Sequence, residues 1–244
     1  MIPVGSSSGV GRTGFLVVNE IFGPTVQGEG ESLGVPAVFL RVAGCSLSCT
    51  WCDTRYSWDW VRHDRGRNAT RMSVDEAWER VIELARDTPT RTLVLTGGEP
   101  ALQSNGLVAI ARAASRADWR VEVETSGAVD LGELADAVNL ITVSPKMASS
   151  GMSTETRLNS KVLTSLAARS NVVWKFVIDD AGDLDEVDRV VTDLGLGVVM
   201  LMPQATTAEA VLEKLRWLVP QAITRGYRVT PRLHTLIWGD ERGR

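Results

Sequence analysis

The sequence predicts an α/β chain, a partial (β/α) barrel of mostly parallel strands with outer helices, and two observations support this. Short β-rich apolar runs recur from residue 36 to near the carboxyl end, and segments of helical period separate them. The runs are PAVFLRVA (36–43), TLVLT (92–96), RVEVET (120–125), LITVS (140–144), VVWKFVI (172–178), GVVMLM (197–202) and YRVTPRLH (227–234). Such runs read as buried parallel strands. Between the first two, Ser73 and Glu76 form a capping box at the start of a helix whose Val74, Ala77, Trp78, Val81, Ile82 and Ala85 share one face. Segments 105–117, 131–137, 157–169, 183–194 and 207–225 also carry helical spacing. An open doubly wound sheet is the competing layout for the same alternation. Residues 55–72, rich in arginine and holding His63, read as a polar surface insertion. Residues 1–14 are rich in Gly and Ser without periodicity and are expected to be a flexible leader, which leaves 15–244 as a single domain.

Composition narrows the function classes. A hydrophobic fraction of 44%, a charged fraction of 23% and a net charge of -4 are those of a soluble globular protein without the basic footprint of a nucleic-acid binder, so a small-molecule partner is expected. No apolar run approaches the ~18 residues that cross a bilayer, and the first residues lack the apolar core of a signal peptide. No membrane role and a cytoplasmic location are therefore expected. The 3 cysteines all lie in GCSLSCTWCDT, too close together and odd in number for a disulfide framework.

Cys45, Cys49 and Cys52 recur as C-x3-C-x2-C, which lets one short loop present three soft thiolates to a cluster. Clusters that only carry electrons normally have four protein ligands, so three leave one iron open to a substrate or cofactor. On cysteine spacing alone the alternative is structural zinc, completed by His63 or His234. Support for the open-iron reading comes from TGGEP (96–100), which follows the strand TLVLT at the end where ligands gather in parallel sheets. Gly97 and Gly98 let a ligand approach the backbone, although a tight turn would use the same residues. Other strand ends carry polar groups in the same way: Glu124, Thr125 and Ser126, then Ser144 and Lys146, then His234.

C-x3-C-x2-C followed by a Gly-Gly-Glu-Pro loop resembles the radical S-adenosylmethionine (SAM) superfamily. The stretch EIFGPTVQGEGESLGVPAVFLRVAGCSLSCTWCDT (20–54) narrows the resemblance to the 7-carboxy-7-deazaguanine synthase family, and TGGEP, ETSG and SPK extend it to about residue 205. The resemblance implies a catalytic domain of the radical SAM type, with a 4Fe-4S cluster on the three cysteines, SAM as cofactor and Mg2+ on Thr54. It also implies an electron donor such as flavodoxin or ferredoxin, and a homodimer. The reaction implied is conversion of 6-carboxy-5,6,7,8-tetrahydropterin to 7-carboxy-7-deazaguanine with release of ammonia, a ring contraction toward queuosine and related 7-deazapurines.

By the same resemblance Trp51, Cys52, Asp53, Gly98, Ser144, Pro145 and Lys146 frame SAM, while Val26, Gln27, Gly28, Arg41 and Thr96 bind the pterin. The residue chemistry agrees. Arg41 offers a planar fork to a carboxylate, Gln27 both donates and accepts, Gly28 leaves room for a ring, and Thr54 supplies a hard oxygen suited to Mg2+. Each also has a plainer reading: an ion pair, a polar turn, a cap. Met202 stands where a glutamine before proline is common in the family, and RLHTLIWGDERGR departs from the shorter ends of some relatives. Another radical SAM enzyme, such as a glycyl-radical activator, and a non-catalytic zinc module are the competing functions. The Gln27 to Gly30 segment and Arg41 speak against the first.

Overall fold

A computed structural model describes residues 14–244, so most of the expected leader lies outside the described residues. The chain runs β1 (Phe15–Val26), β2 (Pro36–Val42), α1 (Arg65–Asn68), β3 (Thr70–Ser73), α2 (Val74–Ala85), β4 (Thr92–Gly97), α3 (Ser104–Arg116), β5 (Arg120–Thr125), α4 (Leu134–Ala137) and β6 (Leu140–Val143). It continues through α5 (Thr154–Arg157), α6 (Ser160–Ala167), β7 (Val172–Ile178), α7 (Ala181–Leu194), β8 (Val199–Pro203), α8 (Ala208–Arg225), β9 (Arg228–Val229) and α9 (Leu233–Trp238). One sheet has the order β3-β1-β2-β4-β5-β6-β7-β8-β9. From β2 to β9 every pairing is parallel, and β1 is antiparallel to both β2 and β3. This is an open, partial barrel with helices outside.

The alternation within each strand explains both the fold and the site. Leu93 and Leu95, Val121 and Val123, Ile141 and Val143, and Trp174, Phe176 and Ile178 point to the outer face and pack with helix residues such as Trp78, Ile110, Val187 and Leu218. Burial of these apolar faces is the main driving force for closing helices onto the sheet. The inner face is divided. Near the strands' amino ends it is apolar, with Phe39 and Val94 in one patch and Leu140, Val173 and Met200 in another. Toward the carboxyl ends the same face turns polar through buried Thr96, Thr142, Ser144 and Lys175.

Four elements differ from the expectation. β1 was not anticipated, because EIFGPTV mixes polar, Gly and Pro residues and most of its side chains are only half-buried, as suits a strand near an open edge. The run 227–234 is strand only at Arg228–Val229: Pro231 has no N–H for the ladder, and α9 begins at Leu233. The expected helix 157–169 is two helices, broken at Leu158 and Asn159, where the Asn159 side chain accepts from the Val162 N–H and caps α6. Residues 55–72 are not merely a surface insertion. They fold as a 3-10 turn (Arg55–Ser57), α1 and most of β3, with Ser57 fully buried.

Candidate active site

One cavity of about 500 Å³ opens at the carboxyl ends of the strands, where the polar half of the inner face meets the loops. It is lined by every residue that the resemblance assigns to the cluster, SAM, Mg2+ or the pterin except Pro145, which is buried between the lining residues Ser144 and Lys146, whereas His63 lies outside the lining. Strand order brings together groups that are far apart in sequence: β2 ends beside Arg41 and the cysteine loop, β4 at Thr96 and Gly97, β5 at Glu124 and Thr125, β6 before Ser144, β8 at Met202 and Pro203.

The cysteine loop follows β2 and closes by local bonds. The Cys52 N–H donates to the Cys49 carbonyl at 3.3 Å, and the Gly44 N–H to the Ser57 carbonyl at 2.8 Å. Two N–H groups already aim at sulfur: Leu47 N at Cys45 Sγ (3.4 Å) and Trp58 Nε1 at Cys52 Sγ (3.3 Å). Burial pushes the Cys45 thiol up to about 11 and raises that of Cys49 also, with the nearby Lys146 ammonium acting in the opposite direction. A bound cation would have to draw off these protons. Three soft donors on one loop, with N–H bonds ready for thiolate, fit a 4Fe-4S cluster held by three cysteines. Among the described residues no three or more His, Cys, Asp or Glu side chains form an ion-sized group, and His63 does not line the cavity with the cysteines.

TGGEP ties this loop to the sheet. A Cβ on Gly98 would stand 2.0 Å from the Gly44 carbonyl oxygen and 3.1 Å from Cys45 Cβ; one on Gly97, at φ +149°, would stand 2.3 Å from the Val42 oxygen. The glycines thus serve close approach between loops as well as any ligand. Glu99 is fully buried and is a fastening group: its carboxylate accepts from Thr125 Oγ1 (2.7 Å), the Ser126 N–H (2.9 Å) and hydroxyl, and the Ala101 N–H (3.1 Å), and its own N–H donates to the Gly44 carbonyl (2.8 Å). Across the loop, Lys146 donates to Ser144 Oγ (3.0 Å) and lies over the Trp51 ring, whose buried Nε1 has no hydrogen-bond partner among the described residues.

On the opposite wall, Glu124 receives Gln27 Nε2 at 3.2 Å on one oxygen and Thr96 Oγ1 at 2.8 Å on the other. Arg41 donates through Nε to Glu20 at 2.8 Å and lies over Phe22. Thr54 Oγ1 is 3.6 Å from Cys52 Sγ. Gly28 makes room for a protein side chain: a Cβ there would lie 2.1 Å from His234 Nδ1. Beneath them is a buried charge network that the sequence reading did not assemble. Glu29 bonds to Lys175 and, at 3.1 Å, to Arg232, which also bonds to Asp53 and the Ala205 carbonyl. His234 Nε2 is 3.8 Å from Glu29, and burial outweighs that carboxylate to keep its pKa low. Lysine inside the apolar run VVWKFVI was the one available signal, since a buried lysine needs a partner.

The superfamily described as "Radical SAM superfamily" matches residues 40–162, half of the chain, spanning the cysteine loop, TGGEP and SPK. The fold and the three-thiol cavity thus define a radical SAM protein. Its relatives narrow this further. It is 41% identical to a 7-carboxy-7-deazaguanine synthase of Pyrobaculum aerophilum over 93% of this chain and 96% of that one, and 31% identical to the synthase of Bacillus subtilis over 93% and 97%. The crystal structure of QueE from Escherichia coli shares the fold, with a TM-score of 0.68, 24% identity, and coverage of 90% of this chain and 95% of that chain. The chain belongs to the 7-carboxy-7-deazaguanine synthase family.

Proposed function

We propose that this chain converts 6-carboxy-5,6,7,8-tetrahydropterin to 7-carboxy-7-deazaguanine with loss of ammonia, in 7-deazapurine biosynthesis, and that the cavity at the strand ends carries the reaction. One observation carries the reading: the cysteine loop and Gly98 share a single cavity with Gln27, Arg41 and Thr96. The 4Fe-4S cluster on Cys45, Cys49 and Cys52 would supply the electron that cleaves SAM to a 5'-deoxyadenosyl radical. Trp51, Asp53, Gly98, Ser144 and Lys146 hold SAM against that loop, with Pro145 stiffening the backbone between the last two. The Gln27–Glu124–Thr96 chain offers alternating donors and acceptors to the edge of the heterocycle, while Val26 and Gly28 shape the same wall. Arg41 receives the substrate carboxylate.

Thr54 would supply a hard protein oxygen to Mg2+, a cation that would act there as a Lewis acid. Residues Asp240 to Arg244 also line the cavity. Met202, buried in the wall, contacts the adenosine part of SAM by packing, where a glutamine would hydrogen-bond. An external donor such as flavodoxin or ferredoxin, a homodimeric assembly, a single domain over 15–244 and a cytoplasmic location complete the proposal; no helix among the described residues is long and apolar enough to cross a membrane.

The test is anaerobic incubation of the iron-reconstituted, reduced protein with the pterin, SAM and Mg2+, read by mass spectrometry for 7-carboxy-7-deazaguanine. Cleavage of SAM without consumption of pterin would leave the radical chemistry standing and remove the substrate assignment.

A further inference from the structure

Glu20, on β1 behind the cavity-lining Arg41, Tyr56 and Arg242, is shared by these three donors. Arg41 Nε reaches its Oε1 at 2.8 Å, Tyr56 Oη the same oxygen at 3.2 Å, and Arg242 Nε its Oε2 at 2.8 Å. Arg242 comes from the segment after α9, lies 4.1 Å from the Tyr56 ring centroid and donates to Asn68 Oδ1 at 2.9 Å. Arg41 and Glu20 are both largely buried, with side-chain exposures of 15% and 14%. The terminal nitrogens of Arg41, the fork that would grip a carboxylate, have no hydrogen-bond partner among the described residues, because Glu20 takes only Nε.

The electrostatics of this trio carry a consequence for specificity. Arg41 with Glu20 alone is a neutral pair, and a neutral pair attracts a carboxylate weakly, since the glutamate repels what the arginine draws. Arg242 leaves the trio with one net positive charge, matched to one carboxylate, and holds Glu20 where it steers Arg41 by its Nε edge. Asp53, which also acts on Arg41, is paired with Arg232, and Glu241 with Arg244 at 3.0 Å, so neither cancels this charge. We propose that Arg242 is a positioning residue for recognition of the substrate's carboxylate: by neutralising Glu20 it leaves Arg41 with uncompensated charge facing the cavity. The inference rests on the pterin reading above.

Calorimetric titration of the cluster-reconstituted protein under anaerobic conditions tests it, with S-adenosylhomocysteine in place of SAM so that nothing turns over. The ligands are 6-carboxytetrahydropterin and tetrahydropterin without the carboxylate. Arg242→Ala, at a side chain 42% exposed and safe for folding, is expected to weaken the carboxylated ligand about tenfold and leave the other unchanged. Adding Glu20→Gln to that variant should restore the affinity, because the amide oxygen still accepts from Arg41 Nε while the opposing charge is gone. Equal weakening of both ligands, or a double variant as weak as Arg242→Ala, overturns the proposal. A wild-type protein that binds no carboxylated pterin removes the substrate reading itself, and this inference with it, before any variant is compared.

Discussion

At Cys49 the structure leaves a buried thiol on a loop that faces a cavity, and its neighbours favour a metal-bound thiolate over an inert core cysteine. Replacing it by Ala should abolish the brown charge-transfer absorption of the anaerobically reconstituted protein and halve neither fold nor solubility; retention of full cluster colour and iron content would remove Cys49 from the ligand set. Residue type picked out side chains that the fold brings together. The three thiols, Arg41, Gln27, Thr54 and Thr96 all line the cavity. Roles were less legible. Gly28 accommodates His234, and Glu99 of the Gly-Gly-Glu-Pro loop fastens three segments from a fully buried position. Partners more than twenty residues away in sequence determine such roles, and no local pattern announces them.

The elements that matter most for the site are the two loops that meet at Gly98. Gly98→Ala would drive a methyl into the Gly44 carbonyl, a backbone atom that cannot swing aside, so the cysteine loop must shift. The expected outcome is loss of most cluster incorporation with helix content, read by circular dichroism, unchanged; normal iron loading would show that the loops tolerate separation. Helix α2 offers a contrasting test far from the chemistry. Ser73 accepts from the Glu76 N–H and Glu76 answers at the Ser73 N–H (2.7 Å), so Ser73→Ala should cost about 1 kcal/mol in urea unfolding without changing cluster content. That capping box was visible in the sequence because it is local. β1 was not, being half-exposed, interrupted by Gly and Pro and held by a partner strand, while β9 was expected within 227–234 but is cut to Arg228–Val229 because Pro231 has no N–H for the ladder.

Across the whole molecule, the buried network around Glu29 joins the loop after β1, the middle of β7, the cysteine loop and the segment before α9. Burial by itself would raise the Glu29 carboxyl, but Lys175 and Arg232, helped by His234, outweigh it and hold it well below the usual range. A depressed carboxylate contributes stability that is complete above the unfolded-state value of about 4.3 and is lost as pH falls below it. Urea midpoints should therefore begin to drop below about pH 5 and keep falling past pH 3 toward the depressed folded-state value, and Glu29→Gln should flatten that fall. The same substitution strands two buried cations and should cost about 3 kcal/mol at neutral pH. An unchanged midpoint at neutral pH would show that the network contributes nothing to stability. From sequence alone came the α/β class, the parallel strands, the cluster loop and the family resemblance, because strand periodicity, helix caps and ligand spacing are short-range properties of the chain. Only the tertiary structure decided which buried charges face one another, how the carboxyl-terminal segment reaches Glu20, and why the glycines are needed, because those depend on strand order and loop approach across more than two hundred residues.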